Sequence, residues 1–377
     1  MRFFLKKEWI FCCVICLFPW MAEAKPYFAV RHGYKCSQCH INKTGGGKRN
    51  AFGVIYAQSM LPMKKTFYDE DEKTEKPFPF FNHALNEFIS AGANLRLDNK
   101  TVYKKGDNKG KEENTFTFSE GNLYLETALI KDWLSLYFDE NFAPGGVSSR
   151  EAFGIWNNLP WNGYIKAGRF MLPYGFRVLD DTAFIRSRTN INYDEQDYGL
   201  EIGFEPGFFS GNLALTNGTS GSDDDNTNKQ LTSRAELAFR HFRFGPSVAV
   251  NRSSTNKRRM AGLFLGWNFW KLSWLGEFDY IVDKNFSEVP LVQTDQRVFF
   301  SQLNFLLMEG LNIQWGYEYL DSDISVSDDS RIRVSGGIEP YFTPFLQGSL
   351  FYRYHKGPPQ RPAESEDELI AQIHLFF

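Results

Sequence analysis

Residues 271–280, Lys271-Leu272-Ser273-Trp274-Leu275-Gly276-Glu277-Phe278-Asp279-Tyr280, place Leu272, Trp274, Gly276, Phe278 and Tyr280 on one side of an extended chain. Lys271, Ser273, Glu277 and Asp279 fall on the other. Side chains alternate sides along a strand, so this stretch has one face for an apolar medium and one for water. The same period of two returns in Leu311, Ile313, Trp315, Tyr317 and Tyr319, set against Asn312, Gln314 and Glu318. The last residues repeat it, with Leu369, Ala371, Ile373, Leu375 and Phe377 against Glu368, Gln372 and His374.

Working outward, about 16 such segments are expected, starting near 84, 113, 131, 148, 161, 196, 208, 229, 243, 258, 271, 296, 311, 330, 343 and 366. Their connections alternate. Long polar ones (99–112, 171–195, 218–228, 283–295, 321–329, 356–365) take turns with tight ones such as Lys131-Asp132, Glu205-Pro206-Gly207 and Met308-Glu309-Gly310. Long loops at one end and short turns at the other mark an all-β transmembrane antiparallel barrel, expected over 83–377. An even strand number returns both ends of the barrel to the same side. Composition agrees: 37 Phe, 17 Tyr and 9 Trp stand in a chain of 377 residues whose mean hydropathy is only −0.39. That average is too polar for a bundle of membrane helices, and a soluble sandwich has no use for so many outward aromatics. A propeller would show a repeat, and none is visible. The net charge of −3 offers no footprint for nucleic acid.

Residues 1–24 read as a secretory signal: Arg2, Lys6 and Lys7 precede the apolar run Ile10 to Trp20, and Ala22-Glu23-Ala24 gives a small-x-small cleavage site. The apolar run falls short of the roughly 20 residues that span a bilayer. Cys12, Cys13 and Cys16 leave with this leader, so Cys36 and Cys39 are the cysteines of the mature chain. They lie in Cys36-Ser37-Gln38-Cys39-His40, the attachment pattern of one covalent c-type haem. Two thiols at this spacing form thioethers with the porphyrin vinyl groups, and the adjacent histidine coordinates the iron. A zinc site would need a second ligand pair beyond Cys36, Cys39, His40 and His32. A thioredoxin-like thiol pair would sit in a βαβ unit, which is absent. For the second axial position Met60 and Met63 rank above His32 and His83, because a short helix over 50–60 is ended by Pro62 and a Met ligand suits a minimal cytochrome. The α-helical monohaem segment is thus expected over 25–65. A charged, Pro-containing linker follows over 66–82. Gly45-Gly46-Gly47 lacks the flanking residues of a phosphate loop and reads as a turn beside the haem.

A leader, one Cys-x-x-Cys-His behind it, the stretch Gly47, Asn50, Phe52 and Gly53, and a porin-like remainder resemble the fused monohaem cytochrome–porins, which include outer-membrane iron-oxidising cytochromes. The segment Gly168-Arg169-Phe170 to Pro173-Tyr174-Gly175-Phe176-Arg177 is similar to a porin strand and loop start. In architecture the resemblance spans the chain; its specific motif occupies the first 30 mature residues. It implies a Gram-negative outer-membrane protein with haem c at Cys36, Cys39 and His40, and carries over no distal ligand and no iron site. Electron transfer is the expected function, with extracellular Fe(II) as a candidate donor, so that an Fe(II):cytochrome c oxidoreductase is conceivable. Periplasmic cytochromes or other carriers are the expected partners on the other side. The alternative is a transport porin whose haem segment senses redox state or gates the pore. Docking to other cytochromes as a relay is a weaker third reading. Arg234, Glu236, Arg240, Glu277, Asp279, Glu318, Arg331 and Arg333 are expected to face the lumen, and the long loop 171–195 to fold inward as a constriction. Acidic outer loops, such as Asp223 to Asp225 and Asp321 to Asp329, read as solvated surface that binds divalent ions. No nucleophile–base set for hydrolysis is present.

Overall fold

A computed structural model of the chain describes residues 25–105, 110–224, 226–252, 257–284 and 293–377; the leader read at 1–24 lies outside the described residues. From Ile89–Lys104 to Glu366–Phe376, sixteen antiparallel strands close into one barrel. The last strand seals against the first, with Leu375 opposite Leu95 and His374 opposite Arg96. All sixteen expected segments are strands. The earliest expected starts are a few residues premature. Near 84 the chain is still turning, because the Asn86 side chain accepts the N–H groups of Phe88 and Ile89 at 2.8 and 2.7 Å. Near 131, Asp132 adopts φ 65° in a tight turn before Leu134–Ala143 begins.

The period of two is a physical partition. In Leu272–Lys284, Phe278 points outward, while Ser273, Glu277 and Asp279 are buried inside. Their burial is unusual for a barrel of this strand number, which leaves an aqueous channel when empty. Here the lumen is occupied. Of the inward residues expected, Arg234, Glu236, Glu277, Asp279, Glu318 and Arg333 are indeed buried in it. Arg240 is not: it sits exposed in the turn between Gln230–Ala238 and Phe242–Arg252. Arg331 lies at the start of its strand, where it pairs with Glu364 of a long connection at 2.8 Å. Introducing a charge on the outward face has a defined cost. Phe278→Arg is expected to destabilise the barrel in lipid by about 2–4 kcal/mol, the range for arginine near the bilayer midplane. Urea titration in vesicles reads this, and an unchanged midpoint would mean that the face does not meet hydrocarbon.

Two bodies occupy part of the lumen. The first is the N-terminal segment, with α1 (Pro26–His32), α2 (Cys36–Cys39) and α3 (Ala51–Met60). Pro26 starts α1, where its missing N–H costs nothing, and Gly33 ends it at φ 72°. A β-carbon on Gly33 would meet the Arg240 backbone at 2.7 Å, so glycine also allows the close approach of this helix end to a barrel turn. Asn50 caps α3 by accepting the Gly53 N–H at 3.0 Å, and its amide donates to the carbonyls of Ser37 and Gln38. The second body is the connection from Phe170 to Asp197, which folds inward as expected and contains α4 (Phe184–Ser187). Tyr174 donates to Asp279 at 2.9 Å, the Phe176 N–H to Glu277 at 2.6 Å and the Phe184 N–H to Glu318 at 2.7 Å. Residues 66–82, read as a linker, contain an exposed two-stranded hairpin, β1 (Thr66–Asp69) and β2 (Thr74–Pro77). It hangs from the short-turn mouth, where the Met63 N–H donates to the Tyr341 carbonyl at 2.7 Å.

Candidate functional site

Cys36, Cys39 and His40 come together inside the barrel, near its short-turn mouth. The Lys35 ammonium donates to the Phe209 carbonyl at 2.6 Å, and Ser37 bonds Glu205 of a neighbouring turn. Deeper in, Asn42 donates to Glu151 at 2.8 Å and accepts from Lys166 at 3.2 Å, while the Lys48 N–H donates to the Tyr137 hydroxyl at 2.9 Å. The motif is thus pinned to the wall on both sides. Between the pins, Gly45, Gly46 and Gly47 all take positive φ and wrap the histidine, and a β-carbon on Gly45 would press on the Cys36 side chain at 3.2 Å.

These residues line a cavity between the N-terminal segment, the inward connection and the barrel wall. Its walls are Phe28, Tyr34, Tyr56, Leu61 and Phe176, with Gly45, Gly46, Gly53 and Gly175 where the backbone comes close. Gly53 is needed there, since a β-carbon would meet the Cys39 carbonyl at 2.2 Å. Six cations complete the lining (Lys25, Lys35, Arg49, Arg177, Arg234 and Arg243), and no Asp or Glu does. Arg177 comes from the inward connection and bonds the Gly45 carbonyl. That contact, between residues 132 apart in sequence, and the cationic lining itself were not foreseen; the inward loop was the available signal.

His40 is 2 % exposed, and neither ring nitrogen meets a partner in hydrogen-bonding geometry. Burial holds the ring neutral by pushing it down to about 3; Arg49 adds to this, and the nearby Gly47 carbonyl opposes it only in part. Buried polar atoms are normally satisfied, so a neutral imidazole aimed into a cavity is available to an incoming Lewis acid. The two cysteines are not bonded to each other. Burial raises both thiols, Cys39 to about 11, with Arg234 opposing the shift at Cys36 and Arg49 at Cys39. Thiols held protonated make a poor exchange pair, against the thioredoxin-like alternative. Among the described residues no three His, Cys, Asp or Glu side chains are placed to hold one metal ion, although Cys36, Cys39 and His40 share one cavity.

Met60 and Met63 are not brought to this cavity. Met60 lies on the exposed side of the last turn of α3, because Gly53, Tyr56 and Ala57 take the inward face. Met63 follows Pro62 to the mouth, where it packs over Gly310. His32 stacks with Tyr34 at 5.4 Å and His83 lies on the segment leading to the first barrel strand; neither lines the cavity.

Lys48 gives a pH test of this packing. Burial pulls its ammonium down to about 8 from 10.5, with Glu126 opposing the shift. Because the folded value is below the unfolded one, the charged form weakens the packed segment below pH 8, and the penalty fades as pH rises from about 8 to 10.5. Protease release of residues 25–64 from folded barrels is expected to slow across that window. A rate independent of pH would show Lys48 to be solvated.

Solved structures similar to this chain include outer-membrane proteins and channels. OmpT of Vibrio cholerae matches at 13 % identity over 78 % of this chain and 100 % of its own, with a TM-score of 0.59. OmpF of Salmonella typhi, solved with daunomycin, matches at 11 % identity over 78 % of this chain and 100 % of its own, TM-score 0.58. The outer-membrane channel DcaP of Acinetobacter baumannii matches at 10 % identity over 77 % of this chain and 97 % of its own, TM-score 0.58. At these identities the likeness is one of fold. No family model matches the chain, and no curated protein matches it.

Proposed function

We propose that this chain is a Gram-negative outer-membrane barrel whose lumenal segment carries one covalent haem c, and that it transfers electrons across the membrane. The observation that carries this reading is the cavity: two thiols at haem-attachment spacing, a buried imidazole whose nitrogens meet no hydrogen-bond partner, apolar walls, and a lining with six cations and no Asp or Glu. Cys36 and Cys39 would tether the group, and His40 would supply a ring nitrogen to its iron. Phe28, Tyr34, Tyr56 and Phe176 keep water from the site, and the neutral state of His40 leaves a lone pair for iron. When bound, the haem supplies one-electron exchange at its iron. The barrel insulates that site from lipid. The short-turn mouth, which holds α2, faces the periplasm and carriers such as periplasmic cytochromes; the long loops face outside, toward a donor such as Fe(II).

A reduced-minus-oxidised spectrum of the purified protein, with Fe(II) among the reductants, tests this. A c-type spectrum obtained with Fe(II) supports a surface iron oxidase, and one that answers dithionite alone points to another donor. No haem signal refutes the reading.

A second reading, a transport porin gated by its plug, is favoured by the fold of the similar structures and by one further observation. Beside the plug lies a larger cavity, about 420 Å³, lined by Arg96, Glu120, Arg150, Asp180, Glu318 and Arg353. It shares Lys25 and Pro26 with the Cys36 cavity, so the plug leaves part of the lumen unfilled. Conductance that changes with redox state would favour this second reading.

A further inference from the structure

We infer that Arg252, Lys257, Arg259 and Lys284 form a site on the outer wall of the barrel for the phosphorylated headgroup of a glycolipid in the outer leaflet. The inference is independent of the haem reading. It rests on the orientation given above, with the long loops outside.

Alternation assigns these four side chains to the outward face. Arg258 points inward, where it pairs with Asp283 at 2.7 Å. Lys257 and Arg259 on either side of it, and Lys284 after Asp283, therefore point out. Arg252 shares the face of the exposed Val248, four residues earlier in Phe242–Arg252. The register then sets like charges side by side: Arg252 is directly opposite Lys257, and Lys257 is directly opposite Lys284. Neighbouring strands lie about 4.8 Å apart, and like charges directly opposite each other destabilise a sheet. The charges acting on Lys257 are those of Arg259, Arg252 and Lys284, with no acid among them. Nearby acids are engaged elsewhere: Asp283 with Arg258, Asp224 with Lys229, and Asp295 as acceptor of the Tyr280 hydroxyl at 2.6 Å. Arg297, on the next strand, is opposite Asp321 and does not join the set. Among the described residues none of the four cations makes an ion pair or a side-chain hydrogen bond. An anion from outside the chain relieves their repulsion.

The wall below the cluster identifies that anion as part of a lipid. On the same outward face, farther from the strand ends, come Val250 and Val282, then Val248, and then Leu263 and Phe278. Val248, Leu263 and Phe278 are exposed. This band faces hydrocarbon, so a molecule held at the four cations has its other end against acyl chains. A free anion would use the charges and leave the wall unused. A phosphorylated headgroup carrying acyl chains uses both, and the two guanidiniums suit it because they meet phosphate oxygens in pairs. Lys284 leads into one of the long connections, which puts the cluster at the outer leaflet.

The test places the purified full chain in phosphatidylcholine nanodiscs doped with bisphosphorylated lipid A, and native mass spectrometry counts the lipid A that stays bound. The double variant Lys257→Gln with Lys284→Gln is expected to bind about tenfold more weakly, as loss of two lysines at a charged membrane surface implies. Lys131→Gln, exposed in a turn at the other mouth, is the control and should match the parent. Parent binding should survive EDTA, because ammonium and guanidinium groups need no bridging metal, and should resist excess inorganic phosphate. Heat-modifiable migration shows whether each barrel is folded. If the lysine pair fails to assemble, Arg252→Gln with Arg259→Gln carries the test. Unchanged binding in a folded double variant overturns the site, as does an equal loss in the control. Release by EDTA overturns it in favour of metal bridging through acidic loops, and displacement by inorganic phosphate in favour of a free-anion site.

Discussion

Changing both Cys36 and Cys39 to alanine is expected to abolish covalent haem completely while the barrel still assembles. The two thiols lie on α2, and the sixteen strands pair with one another without using that segment. Loss of two sulfur atoms from half-buried positions beside an existing cavity should cost about 1 kcal/mol, far less than a closed barrel holds. Haem-stained denaturing gels read the first effect and heat-modifiable migration the second. Haem that survives denaturation in the double alanine variant would falsify the attachment site. Histidine behaves differently: His40→Ala should keep the thioethers and lose the axial bond, visible as a changed spectrum with the covalent stain retained.

Excising residues 25–82 should raise single-channel conductance about tenfold or more, because a 16-strand barrel without filling is an aqueous channel. The segment's main anchors are polar. Lys25 and Tyr27 bond Glu339, Asn42 bonds Glu151, and Lys48 approaches Glu126 at 3.7 Å. Once the segment is gone, water can reach Glu339, Glu151 and Glu126, so the wall is not left with buried unpaired acids. The connection 171–196 stays, pinned by Glu277, Asp279, Glu318 and Arg333. Conductance should therefore remain below that of an empty barrel. No rise on excision would show that the inward connection closes the lumen alone, and it would leave the plug without a gating role.

What was legible in the sequence follows from where the chain meets two media. Each strand divides lipid from lumen, so Trp274 and Phe278 alternate with Ser273, Glu277 and Asp279, and the period survives in the sequence. Cys36, Cys39 and His40 were singled out by their fixed local spacing, and the structure places all three on one cavity. The hairpin of β1 and β2 was not. Thr66-Phe67-Tyr68-Asp69 is too short to show a period, and neither of its faces is buried. The α3 helix was legible, but not which of its faces turns inward, since Gly53 and Tyr56 are selected by contact with Cys39 and the cavity. The same holds for Arg177. Its place against Gly45 depends on how a long connection folds across the lumen, which no local pattern encodes.

The seam where Glu366–Phe376 meets Ile89–Lys104 also orders events in time. The plug precedes the first strand and the last strand closes the ring, so the last strand of the chain completes the enclosure of residues that precede the first. After closure, Cys36 and Cys39 are half-buried inside the wall, beside Phe176 and Arg177. On the haem reading proposed above, the cofactor is joined before the seam closes, and a chain whose barrel closes first is expected to stay without it.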